Sequence, residues 1–233
     1  MYNYASFMIV FMLTNCFLGP LLFYQYDKII SANIYVRLIH GVGCIDYLIP
    51  VMNKYPITIL DFDETPVPEE VVLIFDRSIS YFVWDCFALM IANEKDKYLF
   101  IAHHILSLLG IFFAWYYGIN WYLICIGLFV GEITNPLTQI SAFYELTDKK
   151  DIIIEKIYFY SMLIVRGIIL PIFIFIYMFE IYNQYDKILQ QSYIYQLSLL
   201  VNYCIMLLIA HSSVLWIHKK YLLIYNIDVK KMS

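Results

Sequence analysis

Two adjacent histidines, His103 and His104, interrupt a long apolar run, with Asp85 in the run before them and Glu132 in the run after. An imidazole can take a proton or attack through one ring nitrogen. A carboxylate holding its other nitrogen fixes the tautomer and raises its basicity. Neighbouring residues on a helix diverge by roughly 100°, so one histidine can face a cavity centre while the other serves structure. The chemistry expected is therefore His103 or His104 as base or nucleophile, with Asp85 as orienter. Further polar groups sit inside apolar runs: His40, Asp46, Asp76, Arg77, Arg166 and His211, with Asn135 and Gln139 beside Glu132. Glu132, Asn135 and Gln139 follow i, i+3, i+7, one stripe of a helix. In lipid such groups are costly and mark function. Each also has a plainer role. Asp76 and Arg77 can form a snorkelling local pair, Glu132 and Arg166 a buried ion pair, and His40 and His211 hydrogen-bonded packing.

The elements that must position these residues are membrane spans. Of 233 residues, 62% are hydrophobic and 15% charged, with a mean hydropathy of +0.70. Soluble domains are about half apolar and a quarter charged. Apolar runs at about 5–26, 34–52, 71–92, 98–117, 119–143, 155–180 and 192–217 are each long enough to cross ~30 Å of hydrocarbon. The predicted fold is an all-α polytopic membrane protein of about seven transmembrane helices. The first run has no basic leader and no cleavage site, so it reads as a retained span. The fifth is crowded by polar residues and Pro136, so a re-entrant hairpin is its alternative, although charge on both flanks favours a full crossing. The chain divides into a first helix with its loop (1–33), a six-helix membrane domain (34–217) and a basic tail (218–233).

Basic residues set the orientation. Lys28, Arg37, Lys95, Lys97, Lys149, Lys150, Lys156, Lys219, Lys220, Lys230 and Lys231 fall in alternate gaps or the tail, against Lys54 and Lys187 on the other side, 11 to 2. Basic loops stay cytosolic, so the N-terminus is expected in the lumen and the C-terminus in the cytosol. The stretch from Lys54 to Glu70, with three prolines and five acids, becomes a luminal loop. Depth follows from a 1.5 Å rise: His103 and His104 lie roughly 8–9 Å from the cytosolic end, Asp85 about 10 Å, His40 and His211 about 9–11 Å, and Glu132, Asn135 and Arg166 about 12–16 Å. Antiparallel spans thus deliver polar groups to one layer. This predicts a polar chamber open toward the cytosol and roofed by apolar helix halves. Pro136 and Pro171 remove backbone bonds near it.

Several classes are excluded by residue. The seventh run has no lysine for retinal. The Asp76–Arg77 pair is at the wrong end of its span for a G-protein-coupled receptor. Five histidines without box spacing cannot hold a di-iron centre. The five cysteines show no metal or redox spacing, so no metal and no cofactor is expected, and nothing suggests nucleic acid. A small transporter remains open, because a polar layer can bind a solute as well as react with one.

Three motifs occur in a telling order: SYFVWD at Ser80–Asp85, HHILSLLG at His103–Gly110 and GEITNP at Gly131–Pro136. With RLIHG at Arg37–Gly41, and Arg166 and Pro171, the stretch from about 34 to 217 resembles the TLC domain, the family of ceramide synthases, TRAM translocon-associated proteins and other TLC-domain proteins. The resemblance implies action in lipid metabolism or lipid handling, with membrane lipids as partners. Ceramide synthases acylate a sphingoid base from acyl-CoA, and their paired histidines correspond to His103 and His104. Acyl transfer from acyl-CoA, as co-substrate, to a lipid amine or hydroxyl is therefore one expectation. Their second histidine–aspartate signature is replaced here by GEITNP, which looks more like the TLC-domain proteins linked to membrane lipid composition. The alternative is a non-enzymatic lipid sensor, carrier or trafficking adaptor. Lys230-Lys231-Met232-Ser233 resembles a dilysine signal for retrieval to the endoplasmic reticulum, read by coat proteins; a basic tail can equally touch anionic lipid.

Overall fold

The computed structural model describes residues 28–62, 65–91, 97–147 and 151–225. The expected first span at 5–26 and the dilysine Lys230–Lys231 lie outside the described residues. No strand occurs among those described, and the chain is an all-α polytopic membrane protein. Helix α1 is Lys28–Lys54, α2 Glu69–Ile91, α3 Lys97–Tyr117, α4 Trp121–Glu132 and α5 Asn135–Leu146. Helix α6, Ile152–Ile164, runs through a π-helical turn at Val165–Ile169 into α7, Leu170–Asn183. A short α8, Tyr185–Leu189, precedes α9, Tyr193–Ile224. Five segments are long and apolar enough to cross a membrane: Ile34–Lys54, Lys97–Tyr117, Trp121–Glu145, Ile152–Asn183 and Tyr193–Ile224. Helix α2 has 23 residues and packs between α1 and α3. It carries Asp76, Arg77 and Asp85 within its apolar stretch.

Local chemistry sets the boundaries. Asp151 caps α6 by accepting from the amides of Ile153 and Ile154, at 2.8 and 3.5 Å, and Ser192 caps α9 by accepting from Tyr195 at 3.2 Å. Glu69 and Glu70 in the first turn of α2 complement its dipole. Gly118, at φ +69°, ends α3, and a Cβ there would lie 2.7 Å from the Thr65 carbonyl oxygen. Only glycine satisfies both the conformation and the approach.

The fifth expected span crosses as two helices in tandem rather than as one. It breaks at Ile133–Thr134, so Pro136 falls in the first turn of α5, where a missing N–H costs nothing. The two helices continue along one neighbour, so they do not form a hairpin. Tyr122 of α4 donates to the Met52 carbonyl of α1. A Cβ on Gly41, more than two turns back along α1, would lie 2.9 Å from Pro136 of α5. The π turn similarly precedes Pro171, relieving the ladder where proline cannot donate.

The spans close a ring in the order α1, α2, α3, α9, α6–α7, α5, with α4 reaching inward. Ten of the twelve residues of α4 are buried, as expected of a helix apolar on all sides. Lipid tails are as apolar as leucine, so area burial does not drive these helices together; close packing and interhelical bonds do. At Gly110 an added Cβ would meet Ile124, Asn202 and Ile205 at 3.0–3.3 Å. The loop after α1 folds over one end of the ring. The Asp61 amide donates to Asn120 at 2.9 Å, Trp121 donates to Thr65 at 3.2 Å, and Phe62 stacks on Tyr195 at 5.6 Å.

Candidate functional site

Inside the ring, at the end away from that loop, is a polar chamber of about 690 Å³. Arg37 of α1, Tyr81 and Asp85 of α2, His103 and His104 of α3, Glu132 of α4, Asn135 and Gln139 of α5, and Arg166 of the π turn line it. Of the groups expected in one layer, Asp85, His103, His104, Glu132, Asn135, Gln139 and Arg166 line this chamber from four spans, while His40 and His211 do not.

Asp85 is 2% exposed and holds the centre. His104 Nε2 is 2.7 Å from Asp85 Oδ2, the contact expected from counting along α2 and α3 from their short connection. An ionised carboxylate only accepts, so Nε2 carries a hydrogen in this contact. Arg37 donates from Nε to Asp85 Oδ1 at 2.9 Å and from Nη2 to Oδ2 at 3.3 Å. This two-point clasp neutralises the carboxylate and fixes its plane.

Sequence reasoning names Arg37 in the RLIHG motif but gives it no place in the chamber. The charge count places it in a loop, but it lies inside α1, and its side chain is only 18% exposed. The available signal was spacing: Arg37, His40 and Cys44 follow i, i+3, i+7 along one face.

The two histidines divide their surroundings. His104 belongs to the buried stripe of α3 with Ser107, Ile111 and Ala114. His103, turned by one residue, lines both the polar chamber and a second, apolar cavity of about 630 Å³. Neither histidine's Nδ1 has a hydrogen-bond partner among the described residues. The second cavity runs between α3, α4, α7 and α9 past Ile124, Leu170, Phe173 and Met206, and it shares His103, Gly131, Glu132 and Ile209 with the chamber. From Trp216 at the chamber to Asn202 in the apolar slot is roughly 21 Å along α9. That exceeds one ~15 Å hydrocarbon leaflet. A polar room opening into an apolar slot matches a molecule with a polar head and a long tail.

Glu132 is buried at the rear wall, accepting from Asn135 and lying 3.8 Å from His40 Nε2. Arg166 donates to the Gly131 carbonyl and to Asn135 Oδ1, so it grips the break between α4 and α5 rather than the Glu132 carboxylate. His40 stacks on Tyr81 at 3.8 Å and lies 3.4 Å from the Cys44 thiol. It forms the partition behind the chamber.

His211 is a correction. It is on the exposed face of α9, outside the polar layer. The buried stripe there is Ser198, Asn202, Met206, Ile209 and Ser213. Two residues past Ile209 is roughly 200° around the helix; depth counting gave its level but not its direction. Beyond the chamber, Lys220 of α9 ties Ser141 and Glu145 of α5 and Glu155 of α6 at 3.1, 2.6 and 2.8 Å. This network joins three spans at the chamber mouth, where sequence reasoning saw only loop charge.

No curated protein and no solved structure matches the chain. The family model of the TLC domain matches residues 30–219, a stretch that contains every chamber residue. The chain belongs to the TLC domain family, as a multi-pass membrane protein of lipid-related function.

Proposed function

We propose that this protein transfers an acyl group from a thioester such as acyl-CoA to a lipid amine or hydroxyl, with His103 as the reacting imidazole. The observation that carries this is the position of His103 where the polar chamber meets the apolar slot, with an unpartnered Nδ1. The lipid acceptor places its tail in the slot and its amine or hydroxyl at His103. Nδ1 takes the acceptor proton as nitrogen or oxygen attacks the thioester carbonyl. The carbon–sulfur bond breaks, and the leaving thiolate receives that proton from the imidazolium. Arg37 and Asp85 hold His104 in place, and the His104 ring packs beside His103 at 5.3 Å between centroids as a positioning contact. Arg166 and Asn135 offer N–H groups at the chamber wall for the developing oxyanion.

One observation favours a second reading. Asp85 is saturated by Arg37 and His104, and GEITNP carries no second histidine–aspartate pair. The same chamber then belongs to a lipid sensor, carrier, trafficking adaptor or small transporter. Lipid profiling of cells with the protein, without it, and with His103→Ala separates the two. A lipid change lost in the variant supports transfer; one fully retained supports binding.

The same proposal puts the protein in the endoplasmic reticulum with the chamber mouth toward the cytosol, where acyl-CoA is made available. The bias of basic residues supports that orientation, even with Arg37 moved from the loop count into α1. Retrieval through Lys230 and Lys231 by coat proteins belongs to this proposal; replacing both with Ser and finding the protein still retained would remove it.

A further inference from the structure

Beyond the residues it shares with the chamber, the apolar slot has two polar side chains in its lining among the described residues, Ser107 of α3 and Asn202 of α9. A serine in a helix can return its hydrogen to a carbonyl one turn back, as Ser198, Ser212 and Ser213 of α9 do. Asn202 has no such resolution for its carbonyl oxygen. The residue is 5% exposed, and its Oδ1 has no hydrogen-bond partner among the described residues.

The position makes that costly. Asn202 lies roughly 14 Å from the start of α9 at Tyr193, about half of the ~30 Å hydrocarbon layer. A polar side chain at that depth is ordinarily bonded across to another helix, and an amide left unpaired in an apolar medium loses free energy. Facing Asn202 is Gly110 of α3, where an added Cβ would lie 3.2 Å from the Asn202 oxygen. Glycine leaves room for the amide there and offers no side chain to bond it. The other side chains that meet at Gly110 are Ile124 and Ile205. A buried water needs about two to four polar partners, and this corner of the slot does not supply them.

Two counts fix how far the amide is from the chamber. His103 to Gly110 along α3, and Ile209 to Asn202 along α9, each span roughly 10–11 Å. His103 and Ile209 are both shared by the slot and the chamber, so the two helices agree on one depth. An all-trans chain advances about 1.2 Å per bond, as an extended backbone does, so a tail entering from His103 reaches Asn202 after roughly nine bonds.

We infer that Asn202 is a specificity residue: it selects a lipid whose tail carries a hydroxyl in mid-chain, about nine bonds from the amine or hydroxyl held at His103. A half turn of the Asn202 amide exchanges its N–H and C=O ends, and a hydroxyl both donates and accepts, so it satisfies either end. A plain methylene leaves the amide unpaired. The inference rests on the reading that the slot holds the tail of a lipid with its head at His103; it does not rest on acyl transfer.

The test uses the full chain in phosphatidylcholine vesicles without any acyl donor. A photoactivatable long-chain amine labels the slot, with adducts on α3 and α9 mapped by mass spectrometry. Three amines of equal length compete with it: a plain one, one hydroxylated in mid-chain, and one hydroxylated beside the amine-bearing carbon. They are compared at equal content in the vesicle. The mid-chain hydroxyl should displace the probe at about tenfold lower content than either of the others, the ratio for one hydrogen bond to an otherwise stranded amide. Asn202→Leu should erase that preference while the plain amine still displaces the probe. Equal displacement by the mid-chain and plain amines on the unmodified chain overturns the inference without recourse to any variant, and leaves the slot standing as a lipid site. A preference that survives Asn202→Leu overturns it too. No displacement by any amine removes the tail-in-slot reading and this inference with it. Because no acyl donor is present, a failure of acyl transfer leaves every one of these outcomes unchanged.

Discussion

Removing either side of the Arg37–Asp85 clasp should destabilise the fold far more than removing both. Asp85→Leu leaves the Arg37 guanidinium in the ring and takes the acceptor from His104. Arg37→Leu leaves a carboxylate that is 2% exposed with only His104 beside it. Breaking a buried pair from one side costs about 3–5 kcal/mol. The 18% exposure of Arg37 places its loss toward the lower end of that range. The double replacement removes the charges together and should cost well below the sum, a coupling of about 2–3 kcal/mol. Neutral interhelical hydrogen bonds in bilayers couple by only ~0.6 kcal/mol, so the expected value distinguishes an ion pair from ordinary helix contacts. The assay is reversible unfolding of all four proteins in the same mixed micelle. Additivity within about 0.5 kcal/mol would refute the clasp as the bond holding α1, α2 and α3 around the chamber.

Other outcomes follow from the same packing. Gly41→Ala should cost about 1–3 kcal/mol, because its Cβ meets Pro136 at 2.9 Å and Asn135 at 3.0 Å. Gly127→Ala, with nothing within 4 Å, should be neutral in the same melt. Lys220→Met should destabilise by about 3 kcal/mol by stranding Glu155, whose side chain is 8% exposed. Glu145→Gln, at an acid side chain 53% exposed, should change stability by less than about 1 kcal/mol. At the aqueous end of α2, the bond from Lys54, then Glu70's own amide, then Tyr55 hold Glu70 down to about 2 from 4.5. A lowered acid stabilises the fold above its unfolded value and loses that contribution as pH falls through about 2. Lys54→Gln should therefore move the carboxyl titration of Glu70 back toward 4.5, as read by NMR or infrared difference spectra. A glycosylation acceptor inserted at Ile57, which is 73% exposed, should be modified, while one at Asp151 should not; the reverse would overturn the orientation.

The spans were legible because lipid as solvent forces long apolar runs, and Asp85 meeting His104 was legible because a short turn fixes the register of two antiparallel helices. What depth counting lacks is azimuth. It put His211 at the right level on the wrong face, and it could not choose between the readings of Glu132 and Arg166, where the arginine takes Gly131 and Asn135. Arg37 stood too near the start of its run to look buried. The break at Ile133–Thr134 and the π turn at Val165–Ile169 were signalled only by the prolines after them, which announce a lost hydrogen bond but not how the backbone repairs it. The Lys220 network was invisible because Lys220 lies 65 to 79 residues along the chain from its partners.

The central claim is that His103 performs acyl chemistry where the two cavities meet. Its most direct measurement is thiol release from a long-chain acyl-CoA by the purified chain in vesicles carrying lipid amines and alcohols, with the acylated lipid identified by mass spectrometry. The account predicts acylated product in step with free thiol, lost by at least roughly a hundredfold in His103→Ala, the lower end of the range for one general base, with the unfolding midpoint preserved. Thiol release and product unchanged in His103→Ala, or no product from the unmodified chain with any lipid amine or alcohol, would contradict it.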